Sequence, residues 1–462
     1  MRARATTVFA CQSCGAVAAK WLGRCPDCGE WNSYVEEVRG PAPPAAGAGD
    51  AAAPIAAAAE EPADRVSTTL PGLDRVLGGG LVPGSLVLLG GEPGIGKSTL
   101  LLQAARGIAR GGEVLYATGE ESAAQVRRRG ERLGIREPGL LVLAETDVTR
   151  IVAAAERRAP ALLVVDSVQA VRDPDLSSAS GTVSQVREAA LRLQRYAKPS
   201  GVPVVAVGHV TKDGSLAGPK SLEHLVDTVV SIEGERRFLR RILRATKNRF
   251  GPVDEIAVYD MTAEGLSEVA NASAAMLSER RAGLPGSAVT AAREGTQSLL
   301  VEIQALVGPA ASGSPRRVAI GLDGSRLALL LAVLEGAGLP LATREVFVSC
   351  TGGVQVDEPA ADLAIVAALA SSVRGKALPE AAVFFGEIGL LGEVRRVPAA
   401  ASRLKEAHAL GFREAFFSSG NAGEAAGFAD LAVRPVDRVS EFLDAVGRAS
   451  GAAAGGAPRR GA

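Results

Sequence analysis

The nine residues GEPGIGKST, Gly91 to Thr99, follow the apolar run SLVLLG (85–90) and open the segment KSTLLLQAARGIARGG. Strand, glycine-rich turn and helix in that order give G-x-x-x-x-G-K-[ST] the context in which the motif has chemical meaning. The glycines let successive backbone amides face phosphate oxygens, Lys97 reaches the β- and γ-phosphates, and the Ser98 hydroxyl ligates magnesium. The expected cradle is Gly91, Glu92, Pro93, Gly94, Ile95, Gly96, Lys97, Ser98 and Thr99, with ATP and Mg2+ as its ligands.

A phosphate loop of this kind needs a parallel sheet behind it. Four further short apolar runs supply one: EVLYATG (113–119), GLLVLAE (139–145), ALLVVDS (161–167) and VPVVAVGH (202–209), separated by helical stretches. Near-continuous apolar strands alternating with helices predict an α/β fold with a parallel sheet covered on both faces. Asp166 ends the run LLVVD, where a carboxylate at the strand's carboxyl edge holds magnesium through water. Hydrolysis also needs a group that orients and deprotonates water, and YATGEES (116–122) offers both Glu120 and Glu121. Alternation along the strand does not choose between them.

Cysteine usage defines a second module. Cys11, Cys14, Cys25 and Cys28 form two C-x-x-C pairs ten residues apart, CQSCG and CPDCG, each followed by Gly. Glycine permits the positive φ of a tight knuckle, and four thiolates close a tetrahedral Zn2+ shell with no position left open for catalysis. A structural zinc ribbon is expected, and disulfides are disfavoured by a reducing cytosol. The fifth cysteine, Cys350 in EVFVSCTGG, is expected to be a buried core thiol at a strand end. After the ribbon, GPAPPAAGAGDAAAPIAAAAEEPA (40–63) has one large aliphatic residue, and its composition predicts a flexible tether on which the ribbon moves.

With 462 residues, the chain has room for two to four domains at roughly 100–200 residues each. Its 51 Lys and Arg balance 51 Asp and Glu, so no global field draws it to nucleic acid or an anionic membrane, and any basic surface is local. Neither an apolar leader core nor a spanning apolar run is evident, which predicts a cytoplasmic protein.

Several stretches together resemble the bacterial RadA (Sms) family of recombination proteins: TTLPGLDRVLGGGLVPGS, the phosphate loop, TGEES, VVDSVQ and TKNRFGPV. The family's ATPase core is RecA-like and similar to that of DnaB-type replicative helicases. It begins with a four-cysteine zinc finger and ends with a domain similar to the Lon protease. The resemblance implies a zinc ribbon over 1–39, a linker over 40–63, a RecA-like core over 64–275, a Lon-protease-like domain over 285–450 and a disordered tail over 451–462. By position it favours Glu120 over Glu121 as the catalytic glutamate, and puts His209 where relatives keep a polar sensor of the γ-phosphate. It also implies a DNA-stimulated ATPase of homologous recombination and DNA repair. Such a motor is a homo-oligomeric ring, a hexamer, that moves along single-stranded DNA and promotes branch migration of branched intermediates beside a RecA-type recombinase. A regulatory ATPase of the KaiC kind shares the phosphate loop and GLDRVLGGG but lacks the ribbon and the Lon-like tail.

The Lon-like resemblance rests on QVDEPAADLAI (355–365) and FFGEIGLLGEVRRV (384–397). In Lon a serine attacks and a lysine is its base, so hydrolysis fails without that pair. The serine position here is Ala360, and matching GEIGLLGEV puts the lysine position at Ala401. Lys405 lies one helical turn further on, and Ser349 and Cys350 have no evident base. An ATP-dependent protease or remodelling factor is the competing reading, and no peptidase activity is expected.

Nucleic-acid contact has a weaker signature. ERRFLRRILRATKNRFG carries seven basic residues between Arg236 and Arg249, enough for a local patch. Its end, K-x-R at Lys247 and Arg249, puts both cations on one side and resembles the finger of ring helicases that reaches a neighbour's γ-phosphate; direct DNA binding is the alternative. RDPDLSSASGT and TKDGSLAGPKS fall where RecA-like rings place pore loops, and Lys212 and Lys220 are the candidates for phosphate contact. No aromatic residue sits in either loop, so backbone contact outweighs base stacking.

Overall fold

The computed structural model describes residues 6–39, 64–209, 221–234, 240–253, 255–295, 297–310, 315–428 and 430–449. The chain divides into two units, Met1–Glu268 and Val269–Ala462. The tether 40–63, the tail 451–462, Lys212 and Lys220 lie outside the described residues.

The first unit opens with a three-stranded antiparallel sheet, β1 (Thr6–Cys11), β2 (Val17–Ala18) and β3 (Tyr34–Arg39), with β1 central. Glycines in left-handed backbone close both knuckles: Gly15 (φ 76°) donates to the Cys11 carbonyl at 2.8 Å, and Gly29 (φ 77°) to that of Cys25 at 2.9 Å. These turns aim all four thiols inward.

Short helix α1 (Pro71–Val76) then leads into a nine-stranded sheet. Its strands are β4 (Leu86–Gly91), β5 (Val114–Thr118), β6 (Leu140–Ala144), β7 (Leu162–Asp166), β8 (Val204–His209), β9 (Thr228–Glu233), β10 (Arg240–Asn248), β11 (Ile256–Thr262) and β12 (Gly265–Glu268), in the order β12-β11-β10-β9-β4-β8-β7-β5-β6. The five apolar runs of the sequence are β4 to β8, within a residue or two. All pair in parallel, and β9 joins them as a sixth parallel strand. From β9 outward the pairing turns antiparallel, an extension that strand-helix alternation did not announce.

Helices α2 (Lys97–Ile108), α3 (Ala123–Arg132), α4 (Val148–Arg158), α5 (Val183–Ser200) and α6 (Ser221–Leu225) connect these strands. Two apolar cores result. Leu100, Leu101 and Ala105 of α2 pack with Val87 and Leu89 of β4 on one face, and Ile151 of α4 and Leu193 of α5 pack with Leu86 and Leu88 on the other. Alternate residues of β4 thus serve opposite cores, and the strand is buried throughout. The fold is the α/β arrangement expected: a P-loop core on a parallel sheet, with an amino-terminal ribbon.

The ribbon is not separate from this core. Glu37 of β3, fully buried, accepts from the hydroxyl of Ser184 in the first turn of α5. Arg187 donates to the Gly15 carbonyl at 3.3 Å, and a Cβ on Gly15 would stand 3.2 Å from Val183. A zinc knuckle is seated on the amino end of α5.

The second unit is also α/β. After α7 (Ala272–Leu277) come β13 (Ser287–Glu294), β14 (Gln297–Pro309), β15 (Arg317–Ile320), α8 (Gly324–Gly336), β16 (Arg344–Cys350), α9 (Asp362–Arg374) and β17 (Ala382–Phe384). The hairpin β18 (Glu387–Ile388) and β19 (Val394–Arg395), α10 (Ala400–Ala409), β20 (Glu414–Phe417), β21 (Ala432–Pro435) and α11 (Val439–Ala449) complete it. The main sheet runs β15-β16-β14-β13-β17-β20-β21, around a helix α9 buried from Asp362 to Ser371.

Candidate nucleotide site

Gly91, at the carboxyl end of β4, turns the chain into the loop that leads to α2. Gly96 caps that helix at φ 121°, with no side chain satisfying the first amides, and a Cβ there would meet Met261 at 2.7 Å. The amino end of a helix capped by glycine is an anion seat. Lys97, 5% exposed, donates to the carbonyls of Gly91 at 2.7 Å and Glu92 at 2.9 Å, which keeps its ammonium group inside the loop. Burial lowers its pKa, while the charges of Asp166, Glu120 and Glu92 oppose the shift.

A residue absent from the sequence reading stands between the magnesium candidates. Tyr116 of β5, fully buried, donates to Asp166 at 2.5 Å and also hydrogen-bonds the Ser98 side chain. Burial and the Asp166 charge push its pKa well up, so it remains a neutral donor. Strand order explains the meeting, since β5 and β7 are neighbours with Thr118 opposite Asp166. The donor set, a hydroxyl and a carboxylate beside phosphate-facing amides, suits Mg2+ carried by a nucleotide.

The two glutamates part company here. Ser167, next to Asp166, donates to Glu120, whereas Glu121 is turned into an ion pair with Arg129 of α3. The capping box formed by Ser122 and Gln125 starts α3 immediately after Glu121 and fixes that divergence. His209 ends β8 opposite Gly91 in the sheet register.

Strand β10 reaches the site from its other flank. Arg241, 5% exposed, donates from Nε to the Ile95 carbonyl of the phosphate loop at 3.0 Å, and burial lowers its pKa. Because β10 runs antiparallel to β9, its later residues lie at the opposite edge of the sheet. Lys247 pairs with Val229 and Asn248 with Thr228, near the amino end of β4, where Val87 also pairs with Thr228. Lys247 is bound there by the carbonyls of Glu223 and Val226, and Arg249, half exposed, by Asp227 at 3.1 Å. Burial and the neighbouring Arg249 lower the Lys247 pKa. Six residues of strand at about 3.3 Å each put Lys247 roughly 20 Å from Arg241 and the adjoining phosphate loop.

In the ribbon, the Cys11 and Cys28 sulfurs are 3.7 Å apart, the Cys14 and Cys25 sulfurs 3.5 Å, and all four lie within 4.8 Å of one another. Tetrahedral thiolates about 2.3 Å from zinc stand roughly 3.8 Å apart, so the set fits Zn2+.

In the second unit Ala360 is buried in the core, and Ala401 lies exposed on α10 with its amide on Glu424. Two residues from each of these positions, fully buried Arg403 makes a two-pronged ion pair with Glu358 at 2.6 and 2.7 Å. The Ser349 hydroxyl donates to the carbonyl of Cys350 at 3.4 Å, and Cys350 is 4% exposed at the end of β16.

The chain is similar to several known proteins. An AAA domain matches residues 52–215, and a rubredoxin metal-binding domain matches 9–36. The protein named DNA repair protein RadA in Bacillus subtilis is 49% identical, over 91% of this chain and 94% of its own length. That of Pseudomonas aeruginosa is 49% identical over 96% and 99%, and that of Listeria monocytogenes 46% over 96% and 98%. The crystal structure of the KaiC-like protein PH0186 of Pyrococcus horikoshii covers 45% of this chain and all of its own at 21% identity, with a TM-score of 0.38. Among the described residues no helix is long and apolar enough to cross a membrane.

Proposed function

The chain belongs to the RadA family of DNA repair proteins, and on that premise we propose that it is a DNA-stimulated ATPase of homologous recombination. In this reading it closes into a hexameric ring on single-stranded DNA and drives branch migration of recombination intermediates beside a RecA-type recombinase. One observation carries the ring: Lys247 and Arg249 stand at the far edge of the sheet from their own phosphate loop. They serve hydrolysis only if a neighbouring subunit brings its own phosphate loop to them.

The work then divides among named side chains. Lys97 and the first amides of α2 hold the phosphates, and Ser98 and Asp166, spaced by Tyr116, hold Mg2+. The metal neutralises charge on the phosphate oxygens. Glu120, oriented by Ser167, takes a proton from water as the water oxygen bonds to the γ-phosphorus and the β–γ bridging bond breaks, leaving ADP and phosphate. Arg249 and Lys247 of the adjoining subunit stabilise the charge that develops, a contribution of roughly 10³–10⁵ in rate for such fingers. Zn2+ is structural, held by Cys11, Cys14, Cys25 and Cys28. The Lon-like unit serves as scaffold without peptidase chemistry, since Ala360 and Ala401 offer neither nucleophile nor base.

ATP turnover measured with and without single-stranded DNA at two salt concentrations tests this reading. The expected outcome is stimulation that weakens as salt rises, because phosphate contacts release counterions. Turnover indifferent to DNA would favour a regulatory ATPase instead.

A further inference from the structure

Arg241 is a buried cation to which the reaction above gives no task, and sheet register explains why it stands at the phosphate loop. Gly91, where β4 ends, pairs with Ile232 of β9, and Ile232 pairs with Leu243 of β10. Two residues before Leu243, Arg241 projects from the same face of the sheet, the one on which Leu243, Tyr259 and Ile95 pack with α2. There its guanidinium donates from Nε to the Ile95 carbonyl at 3.0 Å and from a terminal nitrogen to the Arg240 carbonyl at 2.7 Å.

The carbonyl that Arg241 holds belongs to a peptide that its own residues do not fix. Gly94 and Gly96 flank Ile95 at φ 79° and 121°, and Gly96 has no Cβ to bar rotation of the Ile95–Gly96 peptide. The Ile95 side chain is anchored, 1% exposed in the core, so the peptide turns about a fixed point. In a trans peptide the carbonyl and the amide point in opposite directions. A donor that draws the Ile95 carbonyl toward β10 therefore turns the Gly96 N–H away from it.

The neighbouring strands brace the same place. Gln103 of α2 accepts from the Leu266 amide of β12 at 2.9 Å and donates to the Leu266 carbonyl at 3.0 Å, as a paired strand would. Met261 of β11 stands where a Cβ on Gly96 would be, at 2.7 Å. Each strand of the antiparallel extension thus touches the loop or its helix.

We infer that Arg241 is a positioning residue for the nucleotide: it holds the Ile95 carbonyl outward and so aims the Gly96 amide at the phosphates that such loops cradle. It acts through that peptide and not on the reacting atoms. This inference rests on the reading of the loop as the ATP seat.

Two substitutions of matched length separate the hydrogen bond from charge and bulk. In Arg241→Gln the amide nitrogen stands as many bonds from Cα as Nε does, so the donor stays and the charge goes. In Arg241→Met a methyl group takes that place. Titration of the full chain with ATP and with a fluorescent ADP analogue should give Arg241→Gln near wild-type affinity. Arg241→Met should bind both nucleotides roughly tenfold more weakly, the size of one hydrogen bond. Its KM should rise while turnover at saturating ATP changes little, because an amide that serves ground and transition states alike contributes uniform binding. Wild-type affinity in Arg241→Met, or equal losses in both variants, overturns the assignment. A lower unfolding temperature of unliganded Arg241→Met with affinity unchanged also overturns it and makes Arg241 a packing residue. A wild-type chain that binds neither nucleotide overturns the ATP seat itself.

Discussion

Ser167 donates its hydroxyl hydrogen to Glu120, one residue from Glu121, which is held in an ion pair by Arg129. Adjacent carboxylates therefore do different work: one is oriented beside Lys97 and Asp166, the other braces the start of α3. Glu120→Gln should bind ATP with wild-type affinity and lose roughly 10²–10⁴ in turnover, the size of a general-base contribution. Glu121→Gln should keep most of its turnover. Rapid-quench measurement of the chemical step checks both, and the reverse order would assign the base to Glu121.

Tyr116→Phe removes the hydroxyl shared by Ser98 and Asp166 without leaving a cavity. Stability should fall by about 1 kcal/mol, a typical net hydrogen bond. The Mg2+ concentration giving half-maximal turnover should rise, because the two oxygens are no longer spaced by a common partner. A magnesium titration of ATPase activity reads this directly, and an unchanged midpoint would reduce Tyr116 to a packing residue.

Arg249→Ala should bind ATP and single-stranded DNA nearly as wild type yet hydrolyse poorly. Mixing it with a Lys97→Ala chain should recover part of the activity, since some interfaces then join an intact phosphate loop to an intact finger. No recovery, with DNA affinity lost, would assign the motif to DNA instead.

Metal analysis should find about one zinc per chain. Its removal by chelation should speed deuterium exchange at 183–187, where Glu37 and Gly15 touch Ser184 and Arg187, while ATP affinity stays unchanged. Exchange there that ignores zinc would mean that the ribbon keeps its shape without the metal.

Ala360→Ser should cleave no casein, for the Lon resemblance puts the base position at Ala401. Glu358→Ala should instead destabilise the second unit by about 3 kcal/mol, as removing one partner leaves the fully buried guanidinium of Arg403 uncompensated. Chemical denaturation monitored on that unit gives the figure.

Much of the nucleotide site was legible because its parts are contiguous in the chain. Phosphate loop, Asp166 and the four cysteines each announce themselves within a few residues of apolar strand or glycine. Tyr116, Arg241 and Ser167 were not legible. Their roles come from strand order, which sets β5 against β7 and carries β10 past the phosphate loop, and residue spacing does not encode that order. Glu120 was separable from Glu121 by resemblance alone, since β5 ends at Thr118 and alternation lapses before either residue. The seat of the ribbon on α5 was missed for a related reason: a long Pro/Ala/Gly tract suggests freedom, but Glu37 and Ser184, 147 positions apart, meet in a buried contact. Antiparallel β10 to β12 escaped because they follow the helical alternation that identified the rest.

Strand β10 touches its own phosphate loop through Arg241 and, about 20 Å further on and past a register shift between Ala245 and Lys247, carries Lys247, with Arg249 just beyond its end. It pairs with β11 over Arg240–Arg244 and with β9 over Ile242–Asn248, so a neighbouring strand holds it on one side or both along its length. In the proposed ring a shift of the phosphate loop on gaining or losing nucleotide is thereby delivered to the cations offered next door. Each subunit would report its occupancy as the position of two positive charges in its neighbour's site, so hydrolysis would pass around the ring in order rather than at random.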